Sequence, residues 1–328
     1  MSTLYQHVRE NPEWVQKASG SWVIAALLRE NAPFELAKRN DPSLRTRWLL
    51  RAAGNGWFSA DLRGVTMTAV DFSAFVSELA AISGETILPF FRTALSIADK
   101  GGSRNFDPVT AADHAAETAM RNLIHRTFPN HGIIGEEYGS ERAEAEYVWV
   151  LDPIDGTKSF ISGMPAWGTL IALLRSGEPV FGMMSQPFIR EQFSGDGARA
   201  YYRGPAGERD LRVRGCSALS EAVLFTTSPL LMSADDRSCF ARVENVVRLS
   251  RYGGDCYAYC MLAAGHIDLI IETELKSYDV LPLMPIITGA GGVITTWEGN
   301  APHSGGRVVA AGDKRVHAAA IELLKFSQ

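Results

Sequence analysis

The chain has 328 residues, and 46% of them are hydrophobic, enough to bury a large core in one domain or in two packed domains. Its formal net charge of −5 excludes the basic footprint of a nucleic-acid-binding protein. The longest apolar run near the N-terminus, residues 22–28, is too short to span a membrane, and no small-residue cleavage pattern follows it. The four cysteines include no C-x-x-C pair, which favours a reducing compartment. We therefore expect a cytoplasmic protein that binds neither nucleic acid nor membranes.

The first 66 residues carry no site motif. Their composition predicts helices over residues 13–29 and 34–53, with prolines at the starts and breaks. Acidic residues such as Glu10 and Glu30 are atypical of an organellar transit peptide. We interpret residues 1–66 as a helical appendage to the domain that follows. It is an extra helical module, an interaction arm, or upstream sequence attached by the choice of start site.

Two helices are predicted next, and the second carries an acidic residue in its first turn. Apolar residues recur at helical spacing from Phe72 to Ile82, which predicts one buried face. Thr110 is a good N-cap for the second helix, and Asp113, three residues later, closes a capping box. Capping is a complete structural explanation for Asp113.

A pair of glutamates follows a short apolar strand. Ile133-Ile134 is the predicted strand, and Gly135 turns the chain into Glu136 and Glu137. Paired glutamates are usually solvated surface residues. These two differ because a single glycine separates them from a buried apolar pair.

Residues 148–160, VWVLDPIDGTKSF, organise the rest of the chain. The first four residues are β-formers, and the proline after the first aspartate ends the strand. Asp152 and Asp155 then lie close together at the rim of a buried strand, which is unfavourable unless a cation such as magnesium lies between them. Gly156 allows close approach of a ligand, and Thr157 opens a helix or turn whose N–H groups face an anion. Asp-Pro-x-Asp-Gly is also ordinary turn chemistry.

Two further aspartates are predicted at helix starts in the second half of the chain. Gly253-Gly254 predicts a tight turn that opens a helix, with Asp255 as its N-cap. Asp279 precedes a strongly apolar helix predicted over residues 280–289. Taken alone, each aspartate is an ordinary capping residue.

Four segments, in this order, resemble motifs of the inositol monophosphatase family. They are V-T-A-A-D ending at Asp113, G-E-E containing Glu136, D-P-I-D-G-T from Asp152 to Thr157, and Y-D ending at Asp279. Tyr278 departs from the tryptophan that is usual in the family, a conservative aromatic change. The resemblance covers residues 68–325, and within the family the chain looks most like the histidinol-phosphate phosphatases.

The resemblance implies an α/β fold, an α+β layered sandwich of the αβαβα type, with the site at a crease between two halves. It implies a phosphatase domain over residues 67–328. We divide this domain into an N-terminal metal-binding half, 67–215, and a C-terminal half, 216–328. Family members are commonly homodimers, so we expect a homodimer.

The resemblance also implies a cofactor of two or three Mg²⁺ ions per subunit. The implied metal ligands are Glu136, Asp152, the carbonyl of Ile154, Asp155 and Asp279. The implied catalytic residues are Asp113, Thr157 and Glu136, with Thr157 hydrogen-bonded to Asp113 to orient the attacking water. Gly156 and Thr157 are the implied phosphate-binding residues.

The implied reaction is hydrolysis of a small phosphate monoester by metal-activated water. The chain lacks C-x5-R, R-H-G and D-x-D-x-T motifs, which argues against the common covalent phosphatase mechanisms. The predicted substrate-binding residues are Asp155, Gly254, Asp255 and Glu272. Asp255 and Glu272 would add negative charge beside the leaving group, which suits the cationic amino alcohol of L-histidinol phosphate. The alternatives are an inositol-1-monophosphatase or broad sugar phosphatase, and a non-catalytic interaction protein on the same fold.

Overall fold

The computed structural model describes residues 34–38, 47–52, 57–61, 69–93, 97–99 and 108–325. The chain divides into two compact units, Met1–Phe72 and Ser73–Gln328. The helix predicted over residues 13–29 lies outside the described residues. Within the described ranges, no helix combines the length and apolar character needed to cross a membrane.

The first unit contains a small antiparallel sheet. Its strands, in sheet order, are β1 (Phe34–Lys38), β2 (Arg47–Ala52) and β3 (Trp57–Asp61). The helix predicted over residues 34–53 is therefore wrong. In sequence, Gly54-Asn55-Gly56 separates two short runs rich in tryptophan, leucine and phenylalanine, and this pattern is a strong hairpin signal.

Most of the helices lie in the second unit. The α-helices are α1 (Ala69–Ile87), α2 (Ala111–Thr127), α3 (Thr157–Ile161), α4 (Ala234–Glu244), α5 (Asp255–Ala263), α6 (Ser277–Val280), α7 (Leu283–Gly289) and α8 (Lys314–Leu324). Short 3-10 helices lie at Leu88–Phe90, Leu219–Glu221 and Pro229–Leu231.

The remaining strands follow in chain order. They are β4 (Ile97–Asp99), β5 (Pro108–Thr110), β6 (Gly132–Gly135), β7 (Gly139–Glu141), β8 (Tyr147–Asp155), β9 (Gly168–Arg175), β10 (Glu178–Gln186), β11 (Glu191–Gly195), β12 (Ala200–Gly204), β13 (Gly207–Asp210), β14 (Val223–Thr226), β15 (Leu249–Tyr252), β16 (Leu269–Leu275), β17 (Val293–Thr296) and β18 (Gly306–Ala311).

Two large sheets form the framework of the second unit. The eight-stranded sheet has the order β13-β12-β11-β10-β9-β8-β6-β7. Its neighbouring strands are antiparallel, except that β6 and β8 are parallel. The five-stranded sheet has the order β15-β14-β16-β18-β17, with β14 parallel to both of its neighbours. β4 and β5 form a separate antiparallel pair.

Alternating side chains of β16 show how the layers stack. Leu269 and Ile271 lie in one buried cluster with residues of α4 and α8, whereas Ile270 lies in another with α5, α7 and the eight-stranded sheet. Because successive side chains of a strand point to opposite faces, α5 and α7 lie between the two sheets. On the outer face of the eight-stranded sheet, Phe75 of α1 packs against Trp149 of β8 at 5.2 Å between ring centroids. The layers therefore run helix, sheet, helix, sheet, helix, which confirms the predicted fold.

The helix predicted over residues 280–289 is interrupted: Val280 is the last residue of α6, and a separate helix, α7, begins at Leu283. The N-cap of α7 is Pro282. Proline has no N–H to donate to the preceding turn, so it starts the second helix instead of continuing the first. The chain leaves the eight-stranded sheet at Asp210 and enters the five-stranded sheet at Val223. The division at residues 215 and 216 stays a prediction.

Candidate metal centre

Three carboxylates meet where β8 ends. Asp152, Asp155 and Asp279 each place an oxygen within 4.8 Å of the other two. In a regular strand, residues three apart point to opposite faces. The register of β8 against β9 shifts between Asp152 and Asp155, and this irregularity lets both carboxylates reach one pocket.

Asp279 reaches the pocket from α6. It is the third residue of that short helix, and its Oδ2 accepts a hydrogen bond from the backbone N–H of Lys276 at 2.7 Å. The predicted N-cap role is therefore wrong, because Lys276 is the N-cap residue. The hydrogen bond to the cap fixes the direction of the Asp279 carboxylate.

The carboxylates of this cluster disfavour one another's charge. Burial raises the pKa of Asp152 well above its ordinary value, and Glu136, Asp155 and Asp279 raise it further. Burial, followed by the charge of Asp255, raises the pKa of Asp155 to about 7, although hydrogen bonds from Cys256 oppose the rise. Burial and then Asp155 also raise the pKa of Asp279.

Glu136 lies beside this cluster on the loop between β6 and β7. Its backbone N–H donates to the carbonyl oxygen of Leu151 at 3.2 Å, one residue before Asp152. Glu137 turns inward, with only 1% of its side chain exposed and its Oε2 3.2 Å from Nδ1 of His114. The side chain of Glu137 is therefore buried and does not lie on the solvated surface, where paired glutamates are usually found.

The residues predicted to orient water lie in the first turns of two helices, α2 and α3. Asp113 is 2% exposed in the first turn of α2, and its charge contributes to the raised pKa of Asp152. The hydroxyl of Thr157 donates to the carbonyl oxygen of Ile154 at 3.1 Å. The hydroxyl proton is thus directed at Ile154 and not at Asp113, the predicted partner.

Residues 152–159, here called the metal loop, contact the start of α5. Oδ2 of Asp155 accepts the backbone N–H of Cys256 at 2.7 Å, and Ser159 donates to Oδ2 of Asp255 at 2.7 Å. Gly156 has a φ of 83°, and a Cβ built there would lie 3.0 Å from the Asp255 side chain. Only glycine therefore allows this approach without strain.

The structure corrects the predicted cap of α5. Gly254 is the N-cap, with a φ of 123°, and Asp255 is the first helical residue, with a φ of 43°. Burial raises the pKa of the Asp255 carboxyl, opposed by Ser159 and Lys158. Asp255 is thus held by the metal loop and does not cap its own helix.

Glu272 lies in the middle of β16, and its side chain is held by Thr226 and Thr227 at the end of β14. Its carboxylate accepts hydrogen bonds from the Thr226 hydroxyl at 3.2 Å, the Thr227 N–H at 2.6 Å and the Thr227 hydroxyl at 2.9 Å. Burial raises the pKa of Glu272 to about 8, and Asp255 adds to the rise. These three donors already bond to the carboxylate of Glu272. Its contact with substrate stays a prediction.

Sequence reasoning missed three residues around the pocket. The only sequence signal for Ser159 is its position four residues after Asp155 in the metal loop. Glu117 lies one helical turn after Asp113, so the i, i+4 spacing predicts a shared face. Tyr259 is buried on α5 with a hydroxyl that has no hydrogen-bond partner among the described residues.

A divalent cation fits this donor set. The residues present are hard carboxylate oxygens, they are gathered within 4.8 Å, and their pKa values are raised by burial and mutual repulsion. A bound cation would relieve both effects, and oxygen ligands of this kind suit magnesium. The fit supports a metal site but selects neither the number of ions nor the individual ligands.

A layered α/β fold with a carboxylate cluster at the end of β8 is compatible with a metal-dependent phosphatase. Residues 69–328 match the profile of the inositol monophosphatase family, and the chain belongs to that family. Its members act on small phosphate monoesters.

Three similar proteins show how much of this chain is covered by the similarity. The "Bifunctional phosphatase IMPL2, chloroplastic" of Arabidopsis thaliana is 46% identical over 267 residues, 78% of this chain and 75% of that protein. The histidinol-phosphatase of Mycobacterium tuberculosis is 34% identical over 212 residues, 62% of this chain and 80% of that protein. An inositol monophosphatase structure from Zymomonas mobilis superposes with a TM-score of 0.69 at 38% identity, covering 77% of this chain and 98% of that one.

Proposed function

We propose that the protein is a magnesium-dependent phosphatase that hydrolyses L-histidinol phosphate to L-histidinol and phosphate in histidine biosynthesis. The observation that carries the choice of substrate is the position of Asp255. Its side chain lies against Gly156 of the metal loop and is fixed there by Ser159. A carboxylate beside the phosphate site favours a leaving group that carries an ammonium or imidazolium charge.

Two further facts support this substrate. Glu272 lies close enough to Asp255 for the charge of Asp255 to raise the pKa of Glu272, so a second carboxyl group lies beside the metal loop. The Mycobacterium tuberculosis relative is named a histidinol-phosphatase. A neutral polyol gains nothing from the negative charge of Asp255, whereas a cationic amino alcohol is attracted by it.

In the proposed mechanism, Glu136, Asp152, Asp155, Asp279 and the carbonyl of Ile154 would hold the magnesium ions. Bound magnesium supplies positive charge that polarises the phosphate ester and lowers the pKa of a coordinated water. Gly156 and Thr157 bind the phosphate through the backbone of the loop.

The attacking water is oriented by protein groups on two sides. The buried carboxylate of Asp113 accepts one hydrogen bond from the water. Thr157 gives its own proton to the Ile154 carbonyl, so its oxygen is available as a second acceptor. Two fixed acceptors hold the water in line with the phosphorus, which is a proximity effect.

The alternative within the same chemistry is an inositol-1-monophosphatase or a broad sugar phosphatase. It is favoured by the Zymomonas mobilis structure, a similar protein named an inositol monophosphatase. A non-catalytic interaction protein is less favoured, because such a protein has no use for a buried carboxylate cluster that repels itself without a cation.

The test is phosphate release by the purified protein, with and without magnesium, on L-histidinol phosphate and inositol 1-phosphate in parallel. We expect magnesium-dependent turnover with a kcat/KM at least about tenfold higher for histidinol phosphate. Equal rates on both substrates would contradict the substrate and keep the phosphatase. Absence of magnesium-dependent turnover on either would contradict the whole proposal.

The compartment and the assembly belong to the same proposal. All four cysteines are unpaired and buried, which fits a reducing compartment such as the cytoplasm. We also propose a homodimer, and light scattering of the full chain measures its mass directly. A monomeric mass at assay concentration would contradict the dimer alone.

A further inference from the structure

Helix α2 contains a buried glutamate, Glu117, that has no role in the mechanism above. Glu117 is 0% exposed, although it is a charged residue in the middle of a helix. It lies one turn after Asp113, on the same face of α2. A buried carboxylate is unfavourable unless several donors satisfy it, so its contacts identify what it does.

The Glu117 carboxylate holds the loop that carries Glu136. Its Oε2 accepts the backbone N–H of Glu137 at 2.8 Å, and its Oε1 accepts the backbone N–H of Tyr138 at 3.2 Å. Its Oε1 also occupies the space beside Gly135, where an added Cβ would lie 2.1 Å away. The carboxylate thus contacts the residues immediately before and after Glu136.

Arg121 completes this arrangement. Its Nε donates to Oε1 of Glu117 at 2.7 Å, and its second guanidinium nitrogen donates to the carbonyl oxygen of Gly139. The ion pair therefore bonds to the backbone at three positions between Glu137 and Gly139. On the other side of the loop, the Glu136 N–H bonds to Leu151 of β8.

We propose that Glu117 is a positioning residue that fixes Glu136 for metal binding. The loop after β6 is short and exposed at its tip, and without the carboxylate two of its backbone N–H groups lose their acceptor. Outer partners of this kind orient metal ligands, and their loss typically lowers metal affinity 10–100-fold. This inference rests on the metal-dependent part of the proposed function and is independent of the substrate.

The variant Glu117→Gln tests the proposal because the two oxygens of Glu117 both act as acceptors. A glutamine has one oxygen, so its NH₂ group must face a backbone N–H or Arg121. We expect the substitution to break one of the hydrogen bonds between residue 117 and the loop, while the volume of the side chain stays nearly constant. Mn²⁺ is the probe because it takes the same oxygen ligands as Mg²⁺. The concentration of free Mn²⁺ is measured by electron paramagnetic resonance without any substrate.

We expect the Kd of the tightest Mn²⁺ site to rise about tenfold in Glu117→Gln. The matched control is Asp268→Asn. Asp268 is also 1% exposed and accepts hydrogen bonds from an arginine, Arg214, and from a backbone N–H, that of Val223. It directly precedes β16 and contacts none of the predicted metal ligands through these hydrogen bonds, so its loss should lower the melting temperature without changing the Mn²⁺ affinity.

Equal Mn²⁺ affinity in Glu117→Gln and the unmodified protein would overturn the proposal, as would an equal loss in Asp268→Asn. If Glu117→Gln does not fold, Arg121→Gln removes the Nε donor and the Gly139 contact and should weaken Mn²⁺ binding several-fold. An unchanged affinity in that variant also overturns the proposal. Tight Mn²⁺ binding by a protein that hydrolyses neither substrate would reject the proposed function and leave the positioning role intact.

Discussion

Asp255 is the residue on which substrate choice depends in the proposed function. Replacing it by asparagine keeps the shape and a hydrogen-bond acceptor for Ser159 but removes the charge. We expect the Asp255→Asn variant to raise KM about tenfold for L-histidinol phosphate, since a hydrogen bond to a charged group contributes roughly 1.5–3 kcal/mol. The KM for inositol 1-phosphate should change less than about twofold, because a neutral polyol makes no ion pair.

The control for this experiment is Asp235→Asn, which removes the same charge from an exposed position on α4. It should leave both KM values unchanged and so excludes an effect of net charge. A loss of equal size on both substrates in Asp255→Asn would remove Asp255 from substrate recognition.

At the scale of elements, the metal loop and the N-terminus of α5 depend on one close approach. Gly156 and Gly177 have nearly the same φ, 83° and 86°, but a Cβ at Gly156 would meet Asp255 at 3.0 Å whereas one at Gly177 would meet nothing within 4 Å. Each alanine variant should lose about 1–2 kcal/mol of stability from the left-handed backbone. Only Gly156→Ala should also lose activity, about tenfold in kcat/KM, because it pushes Asp255 away from the loop.

The measurement pairs urea unfolding with steady-state kinetics on both variants. The Gly177→Ala protein reports the backbone strain alone, so any further loss in Gly156→Ala belongs to the contact. Similar activities in the two variants would show that the approach of the two elements does not matter for turnover.

The same close approach explains what could be predicted from sequence and what could not. The strand before Asp152 was predictable from its β-forming residues. Its predicted end at Pro153 is wrong, because β8 continues to Asp155. The joint pocket was not, since Asp155 and Cys256 are hydrogen-bonded across 101 positions and local patterns carry no such information. Nor was the register shift in β8, which decides that residues three apart share a face.

Two local errors have local causes. The helix predicted over residues 34–53 followed the helical composition and gave no weight to the hairpin signal Gly54-Asn55-Gly56. The strands β2 and β3 are only six and five residues long. Pro282 splits the apolar run after Asp279, so the carboxylate lies inside a short helix whose cap is Lys276. In the second place the proline set the backbone against the average helical preference of its neighbours.

At the scale of the whole molecule, burial of Glu272 makes stability depend on pH. Its pKa is raised from an ordinary value of 4.5 to about 8, so between these values the folded state holds a proton that the unfolded chain releases. This contribution is fully present below about pH 4.5 and is lost as the pH rises through about 8. One proton gives a slope of at most about 1.4 kcal/mol per pH unit.

We expect unfolding free energies measured from pH 6 to 8.5 to fall less steeply in Glu272→Gln than in the unmodified protein. Magnesium is present throughout, so that the carboxylates of the metal site stay ionised and do not add to the slope. The exposed neighbour Glu274→Gln should keep the original slope. Parallel curves for all three proteins would show that Glu272 does not hold the proton.

The family match and the second compact unit define the part of the chain that should act alone. The match begins at residue 69, and the unit spans Ser73–Gln328. A chain that starts at Met67 keeps the whole of α1, including the buried residues Val76 and Leu79. We expect it to keep kcat/KM within about twofold, because no predicted site residue lies before Asp113.

A chain that starts at Ala80 is the matched comparison, since it cuts α1 in the middle and deletes those buried side chains. Together with Phe72 and Phe75, four large buried apolar residues are lost, which removes several kcal/mol, so this protein should unfold or precipitate. If the chain from Met67 also loses its activity on refolding with magnesium, residues 1–66 contribute to the folded enzyme and are more than an appendage. Activity in the chain from Ala80 would instead place the boundary of the domain inside α1.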